Sequence, residues 1–142
     1  MKKFKSWELK EVSYFKEEAG SLSVVEYGQS FEFDIKRVFI LNKFSDDALR
    51  GHHAHKELNQ LVICTSGSFK INLDNGYEKE SITLTDNGPC LYLDGMVWRT
   101  MQNFSKNCVV TVLCDREYKF DYVIRDYEDF IKIVKNKDNE SI

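Results

Sequence analysis

Phe69-Lys70-Ile71-Asn72-Leu73-Asp74-Asn75-Gly76, followed by Ser81-Ile82-Thr83-Leu84-Thr85, decides the fold class. Phe69, Ile71 and Leu73 alternate with Lys70 and Asn72, the period of a half-buried strand. Asp74-Asn75-Gly76 supplies a tight turn, because Asn-Gly tolerates positive φ. Ile82 and Leu84 then share one face of a second strand. Outward from this hairpin the same pattern recurs. Leu22–Tyr27, Lys36–Leu41, Leu61–Cys64, Cys90–Leu93, Val97–Met101 and Val109–Cys114 are short runs rich in β-branched and aromatic residues. Asp86-Asn87-Gly88-Pro89 marks another turn. With the stretch around residues 50–57, about nine strands are expected, the signature of a sandwich or small barrel. Only the C-terminus is predicted helical. Tyr127, Phe130, Ile131 and Val134 fall on one helix face, with Asp126 as the cap. The polar segment 136–142 is expected to be a disordered tail.

Size and composition narrow the class. The chain has 142 residues, 42% of them hydrophobic and 30% charged, which suits one folded domain over residues 1–142. Lys and Arg number 20 against 23 Asp and Glu, so there is no basic footprint for nucleic acid. No run approaches the roughly 18 apolar residues of a membrane span. The basic start, Met1-Lys2-Lys3-Phe4-Lys5, lacks the apolar run of a signal peptide. Cys64, Cys90, Cys108 and Cys114 form no C-x-x-C pair, and three of them sit inside apolar runs. They are expected to be buried free thiols of a cytoplasmic protein.

All three histidines lie in Arg50-Gly51-His52-His53-Ala54-His55-Lys56-Glu57. In a strand, His53 and His55 project from one face and His52 from the other. Arg50 and Lys56 flank the pair and suit an anionic ligand. His53 and His55, four residues, Gln60, six residues and Gly67 resemble the first cupin motif. The second cupin motif falls on Gly95 to Asn103, with Asn103 four residues after Arg99 and the glycine one residue early. Two departures stand out: Gln60 replaces the metal-binding carboxylate, and Arg99 replaces the third histidine. A guanidinium beside a divalent metal is repulsive, so no metal or other cofactor is expected. Two imidazoles with fixed positive charge suit acid–base chemistry on an anionic small molecule.

Arg50-Gly51-x-His53-Ala54-His55-Lys56, Leu91-Tyr92-Leu93 and Val97-Trp98 together resemble the nucleotide-sugar 3,4-ketoisomerases of the cupin superfamily. Ile35-Lys36-Arg37-Val38 and Tyr122-Val123-Ile124-Arg125-Asp126-Tyr127 extend the likeness from about Gly20 to Phe130. The resemblance implies an all-β, single cupin jelly-roll barrel with a short C-terminal helix. It implies an isomerase that moves the keto group of dTDP-4-keto-6-deoxy-D-glucose from C4 to C3 through an enediol. The product would be a dTDP-3-keto-6-deoxyhexose, later aminated for a polysaccharide or glycan. It further implies a metal-free homodimer with exchanged strands.

On that basis His53 is expected to be the C3 base and His55 the shuttle between the oxygens, with the reverse assignment open. Arg50, Arg37 and Lys56 are candidates for the diphosphate. Tyr92 and Trp98 are candidates for stacking on thymine or walling the sugar pocket. Gln60 is expected to hydrogen-bond in the pocket or orient a histidine, and Arg99 to face the sugar and bias reprotonation at C4. The alternatives are a nucleotide-sugar epimerase, a non-catalytic sugar-binding cupin and a metal-dependent dioxygenase.

Overall fold

The structure, a computed structural model, describes residues 6–140. The hairpin expected over residues 69–85 is present as β7 (Ser68–Asp74) and β8 (Lys79–Thr85), with Phe69 opposite Leu84 and Ile71 opposite Ile82. Its turn is held by side chains. Asp74 Oδ1 accepts from the Gly76 amide at 2.8 Å, and Asn75 Oδ1 accepts from the amides of Tyr77 and Glu78. Gly76 sits at φ +94°, the conformation for which glycine is suited.

Two five-stranded antiparallel sheets enclose the core. One runs β1 (Trp7–Lys10), β9 (Cys90–Asp94), β6 (Asn59–Ser66), β11 (Val109–Cys114) and β4 (Arg37–Leu41). The other runs β12 (Val123–Ile124), β5 (Arg50–His55), β10 (Trp98–Gln102), β7 and β8. Their inner faces supply Val62, Phe69, Ile71, Leu73, Leu91, Leu93, Val110 and Val112, all buried. This is the cupin jelly roll, all-β apart from one C-terminal helix. The four cysteines are buried and free.

The expected strands are present, with shifted ends, and the structure adds three. The Leu22–Tyr27 run is a strand only as β3 (Gly20–Val24). It pairs with β2 (Ser13–Glu17) in a hairpin separate from both sheets. β1, β2 and β12 escaped the sequence pattern because they are short and carry no alternating run of buried residues; their ladder partners define them. The helix α1 (Tyr127–Glu140) begins as predicted, with Asp126 Oδ1 accepting from the amides of Glu128 and Asp129. It continues through residues 136–140, where a disordered tail was expected; residues 141–142 lie outside the described residues. Phe130 is fully buried and packs on Trp98, and the Tyr127 hydroxyl donates to Asp74 Oδ2 at 2.5 Å. The helix is thereby fastened to the outer side of the β10–β7 pair.

One irregularity matters for function. Between β5 and β10 the register slips: Arg99 faces His53, but Thr100 faces Gly51. The extra residue is His52, exposed at φ +55°, and Gly51 precedes it at φ +93°. This is a β-bulge. A Cβ on Gly51 would lie 2.7 Å from the Arg99 carbonyl oxygen, too close for any side chain. Gly51→Ala is therefore expected to destabilise the fold by about 1–3 kcal/mol through the strained backbone. Urea denaturation checks this; an unchanged midpoint would refute the close approach.

Candidate active site

The strand ladders bring the site together row by row. Cys114 faces Arg37 on one side and Gln60 on the other, and across the barrel Arg99 faces His53. Alternation points Arg37, Gln60 and Arg99 inward, because Phe39, Val62 and Met101 continue the same faces, and His53 and His55 share one face of β5 opposite Arg99.

Arg99 is 4% exposed. Its Nη1 donates to Gln60 Oε1 at 2.6 Å and its Nε donates to the Val97 carbonyl at 3.1 Å. Burial pulls its guanidinium down to about 10, which leaves it cationic at neutral pH. Gln60 Nε2 reaches Cys114 Sγ at 3.5 Å. Gln60 thus holds the arginine and not a histidine.

His53 and His55 meet edge to face, with their Nε2 atoms 3.0 Å apart. The outer nitrogens are both engaged. His53 Nδ1 lies 3.0 Å from the Gly51 carbonyl, and His55 Nδ1 lies 2.8 Å from Asp121 Oδ1. Burial first, and the Arg99 charge second, lower His53 to about 4 and His55 to about 3. Both imidazoles are neutral at pH 7.

Asp121 is the functional residue that the sequence did not reveal. Its other oxygen accepts from Arg37 Nη2 at 2.9 Å, and its side chain is 3% exposed. Burial would raise its carboxyl; the hydrogen bonds from Arg37 and His55 outweigh that and hold it below the ordinary carboxylate range. No motif marks this position. The only sequence signal is indirect, since a buried imidazole needs a partner for its second nitrogen.

A cavity of about 90 Å³ opens on this group, lined among others by Arg50, Gly51, His53, Gln60 and Arg99. Arg50 stands exposed at its edge. A larger concavity of about 880 Å³ lies between residues 44–49 and 102–106, and no histidine lines it. The paired imidazoles and the buried cation single out the smaller cavity.

Three expected residues fall elsewhere. Tyr92 lies on the outer face of β9, packed near Phe33, because its neighbours Leu91 and Leu93 take the inner face. Trp98 is likewise outside, against Tyr127 and Phe130 of α1. Lys56 is exposed just past β5, where its amide donates to the Tyr122 carbonyl at 2.9 Å.

The FdtA (WxcM-like, C-terminal) family model matches residues 5–135. A TDP-4-oxo-6-deoxy-alpha-D-glucose-3,4-oxoisomerase from Aneurinibacillus thermoaerophilus is 37% identical over 115 residues, covering 81% of this chain and 83% of that protein. The chain belongs to the sugar 3,4-ketoisomerase family. Solved members overlay closely. A variant of the 3,4-ketoisomerase QdtA from Thermoanaerobacterium thermosaccharolyticum, in complex with TDP-4-keto-6-deoxyglucose, is 36% identical with a TM-score of 0.85 over 92% of this chain and 95% of that one. WlaRA, a TDP-fucose-3,4-ketoisomerase from Campylobacter jejuni, is 32% identical with a TM-score of 0.81 over 92% and 96% of the two chains.

The cupin fold raises the question of a metal, and these residues do not fit one. The position of the motif carboxylate is Gln60, committed to Arg99, and the position of the third histidine is Arg99 itself. A fixed guanidinium in the donor set repels a divalent cation and offers it no lone pair.

The neutral histidines carry a stability consequence. In the unfolded chain they titrate near 6.5, and in the folded one well below. Their contribution is fully present above about pH 6.5 and is lost as pH falls from there toward 4, because the unfolded state takes up the protons first. Asp121 adds its own loss only at still lower pH, since its folded carboxyl is shifted down. Urea midpoints should decline between pH 6.5 and 4, and a variant carrying His53→Asn with His55→Asn should decline less. Equal slopes would assign the decline to other groups.

Proposed function

We propose that this enzyme converts dTDP-4-keto-6-deoxy-D-glucose to a dTDP-3-keto-6-deoxyhexose, with His53 and His55 as its acid–base groups. The observation that carries the proposal is the meeting of the two neutral imidazoles beside a buried guanidinium that no carboxylate contacts directly. Moving the carbonyl from C4 to C3 requires one proton to leave C3 and one to arrive at C4. It also requires the O3 hydroxyl proton to pass to O4. His53, at the cavity wall, takes the C3 proton through Nε2 and returns it to C4. His55 moves the proton between the oxygens. Positioned general bases of this kind contribute roughly 10²–10⁴-fold.

Arg99 stabilises the negative charge that develops on the enediolate oxygens, as a preorganised cation in a water-poor site. Facing the sugar, it also biases the face from which C4 is reprotonated. The cavity is a fraction of the roughly 300–1,000 Å³ that ligand pockets usually provide, so it takes the reacting edge of the sugar. The diphosphate stays at the rim, where Arg50 is exposed. Arg37 does not line the cavity and contributes through Asp121, whose carboxylate it holds at 2.9 Å.

The assembly is proposed to be a homodimer that exchanges strands. Support comes from the β2–β3 hairpin, which pairs with neither sheet and exposes Tyr14, Phe15 and Leu22. Val38 and Ile40 on the edge strand β4 are exposed as well. Four free thiols fit the reducing cytoplasm.

Incubation with the 4-keto substrate, followed by NMR of the sugar, tests the proposal. The expected result is a 3-keto product whose C4 configuration the same spectrum reads. His53→Asn should abolish conversion and keep dTDP affinity within a few-fold. Inversion at C5 with the carbonyl left at C4 would instead identify an epimerase. Binding without turnover in the unaltered protein would identify a sugar-binding module.

A further inference from the structure

The contacts of the two histidines contain a proton-counting problem. The Gly51 carbonyl can only accept, so His53 carries its hydrogen on Nδ1. An ionised Asp121 can only accept, so His55 also carries its hydrogen on Nδ1. Two neutral imidazoles hold two such hydrogens, and both are then used. The Nε2 atoms, 3.0 Å apart, face each other with a lone pair each and no proton between them.

A neutral pair left to itself would not choose this arrangement. His55 would move its hydrogen to Nε2 and donate to His53 Nε2, which satisfies the contact. The pair would then be spent as a base, because the remaining lone pair of His55 would point away from His53. Asp121 blocks that relaxation. A carboxylate 2.8 Å from Nδ1 cannot tolerate a lone pair opposite it, and Arg37 at 2.9 Å keeps the carboxylate ionised and aimed.

We propose that Asp121 is a positioning residue that locks His55 in its Nδ1–H tautomer, so that the Nε2 lone pairs of His53 and His55 converge and take up one substrate proton between them. This rests on the isomerase reading given above and deepens it. In the forward step the C3–H bond breaks and its electron pair enters the enediolate. The proton settles between the two Nε2 atoms and satisfies both. In the return step the enediolate electron pair takes that proton at C4. The O3 hydroxyl hydrogen meanwhile passes directly to the adjacent O4, so the C3 carbonyl forms and both Nε2 atoms are bare again. With both its nitrogens engaged, His55 shares the carbon proton in place of the oxygen shuttle given above. No oxidant or other co-reactant is needed. Arg37 supports the carboxylate, and the Gly51 carbonyl plays the matching part for His53.

The test has two arms. The first uses the ligand-free protein with ¹⁵N-labelled histidine, since long-range proton–nitrogen spectra distinguish a protonated ring nitrogen from a bare one. In the unaltered protein His55 should show a protonated Nδ1 and a bare Nε2. In Asp121→Asn the pattern should reverse, because the amide can donate to Nδ1. A bare Nδ1 on His55 in the unaltered protein overturns the proposal, and this arm does not depend on how well any variant folds.

The second arm is kinetic. Asp121→Asn should lower kcat by roughly 10²–10⁴-fold, in the range seen when a catalytic imidazole loses its orienting carboxylate or its general-base role, while KM stays within a few-fold. Asp121→Glu, which keeps the acceptor, should recover part of the loss. Asp121→Asn with kcat within threefold of the unaltered enzyme overturns the proposal. An unaltered protein with the Nδ1–H tautomer that leaves the 4-keto sugar unchanged would defeat the isomerase reading while supporting the tautomer lock.

Discussion

A guanidinium inside a β-barrel sets the terms for everything near it. Arg99 is 4% exposed and keeps its charge, with Gln60 as its one side-chain hydrogen-bond partner among the described residues. A buried cation of this kind is costly unless its donors are satisfied. The amide of Gln60 satisfies part of the fork without cancelling the charge, as a carboxylate would. The remaining field acts on the nearest titratable groups. It adds to burial in keeping both imidazoles neutral, and it draws the Asp121–Arg37 pair into a compensating arrangement on the far side of His55. The donor set that would hold a metal in another cupin barrel has here become a fixed positive pole.

The strand registers explain how such a pole fits in a stable core. Arg37, Cys114 and Gln60 share one row of the first sheet; Phe39, Val112 and Val62 form the next inner row, and Leu41, Val110 and Cys64 the one after. In the second sheet Arg99 is followed on the same face by Met101, beside Leu73 and Ile71. Each strand thus runs from a polar residue at the site to apolar residues deeper in the barrel. The Phe44–Phe104 stack, with centroids 3.7 Å apart, and Phe69 close the apolar end. The hydrophobic core begins at the site itself, since Phe39, Val62, Ile71, Met101 and Val112 wall the cavity that holds His53 and Arg99.

This layering also shows which parts of the site the sequence could disclose. Period-2 alternation placed Phe69, Ile71 and Leu73 in the core, and the same rule put His53 and His55 on one face. Helical spacing and Asp126 located the start of α1. The assignments of Tyr92 and Trp98 to the pocket followed motif membership instead of parity. Leu91 and Leu93 flank Tyr92 and claim the interior, so Tyr92 must point out; Arg99 does the same to Trp98. Asp121 was beyond any local pattern. It lies 66 residues from His55, between a 3₁₀ turn at Tyr118–Phe120 and the two-residue strand β12, and only the pairing of Val123 with His55 brings it to the histidines.

That pairing has a physical cost and a purpose. β12 is only two residues long, yet it docks on the edge of β5 at His55 and Ala54, and the Lys56 amide adds a bond to the Tyr122 carbonyl. Edge strands so short contribute little stability by themselves. What this one does is hold the chain on either side of Asp121 against the strand that carries both imidazoles. α1 then fixes the far end of the segment through Phe130 and the Tyr127–Asp74 hydrogen bond. The C-terminal segment is therefore best understood as the clamp that delivers a carboxylate to the barrel. Its packing on the outer face of β10 and its hydrogen bond to the end of β7 tie the geometry of Asp121 to the same two strands that position Arg99.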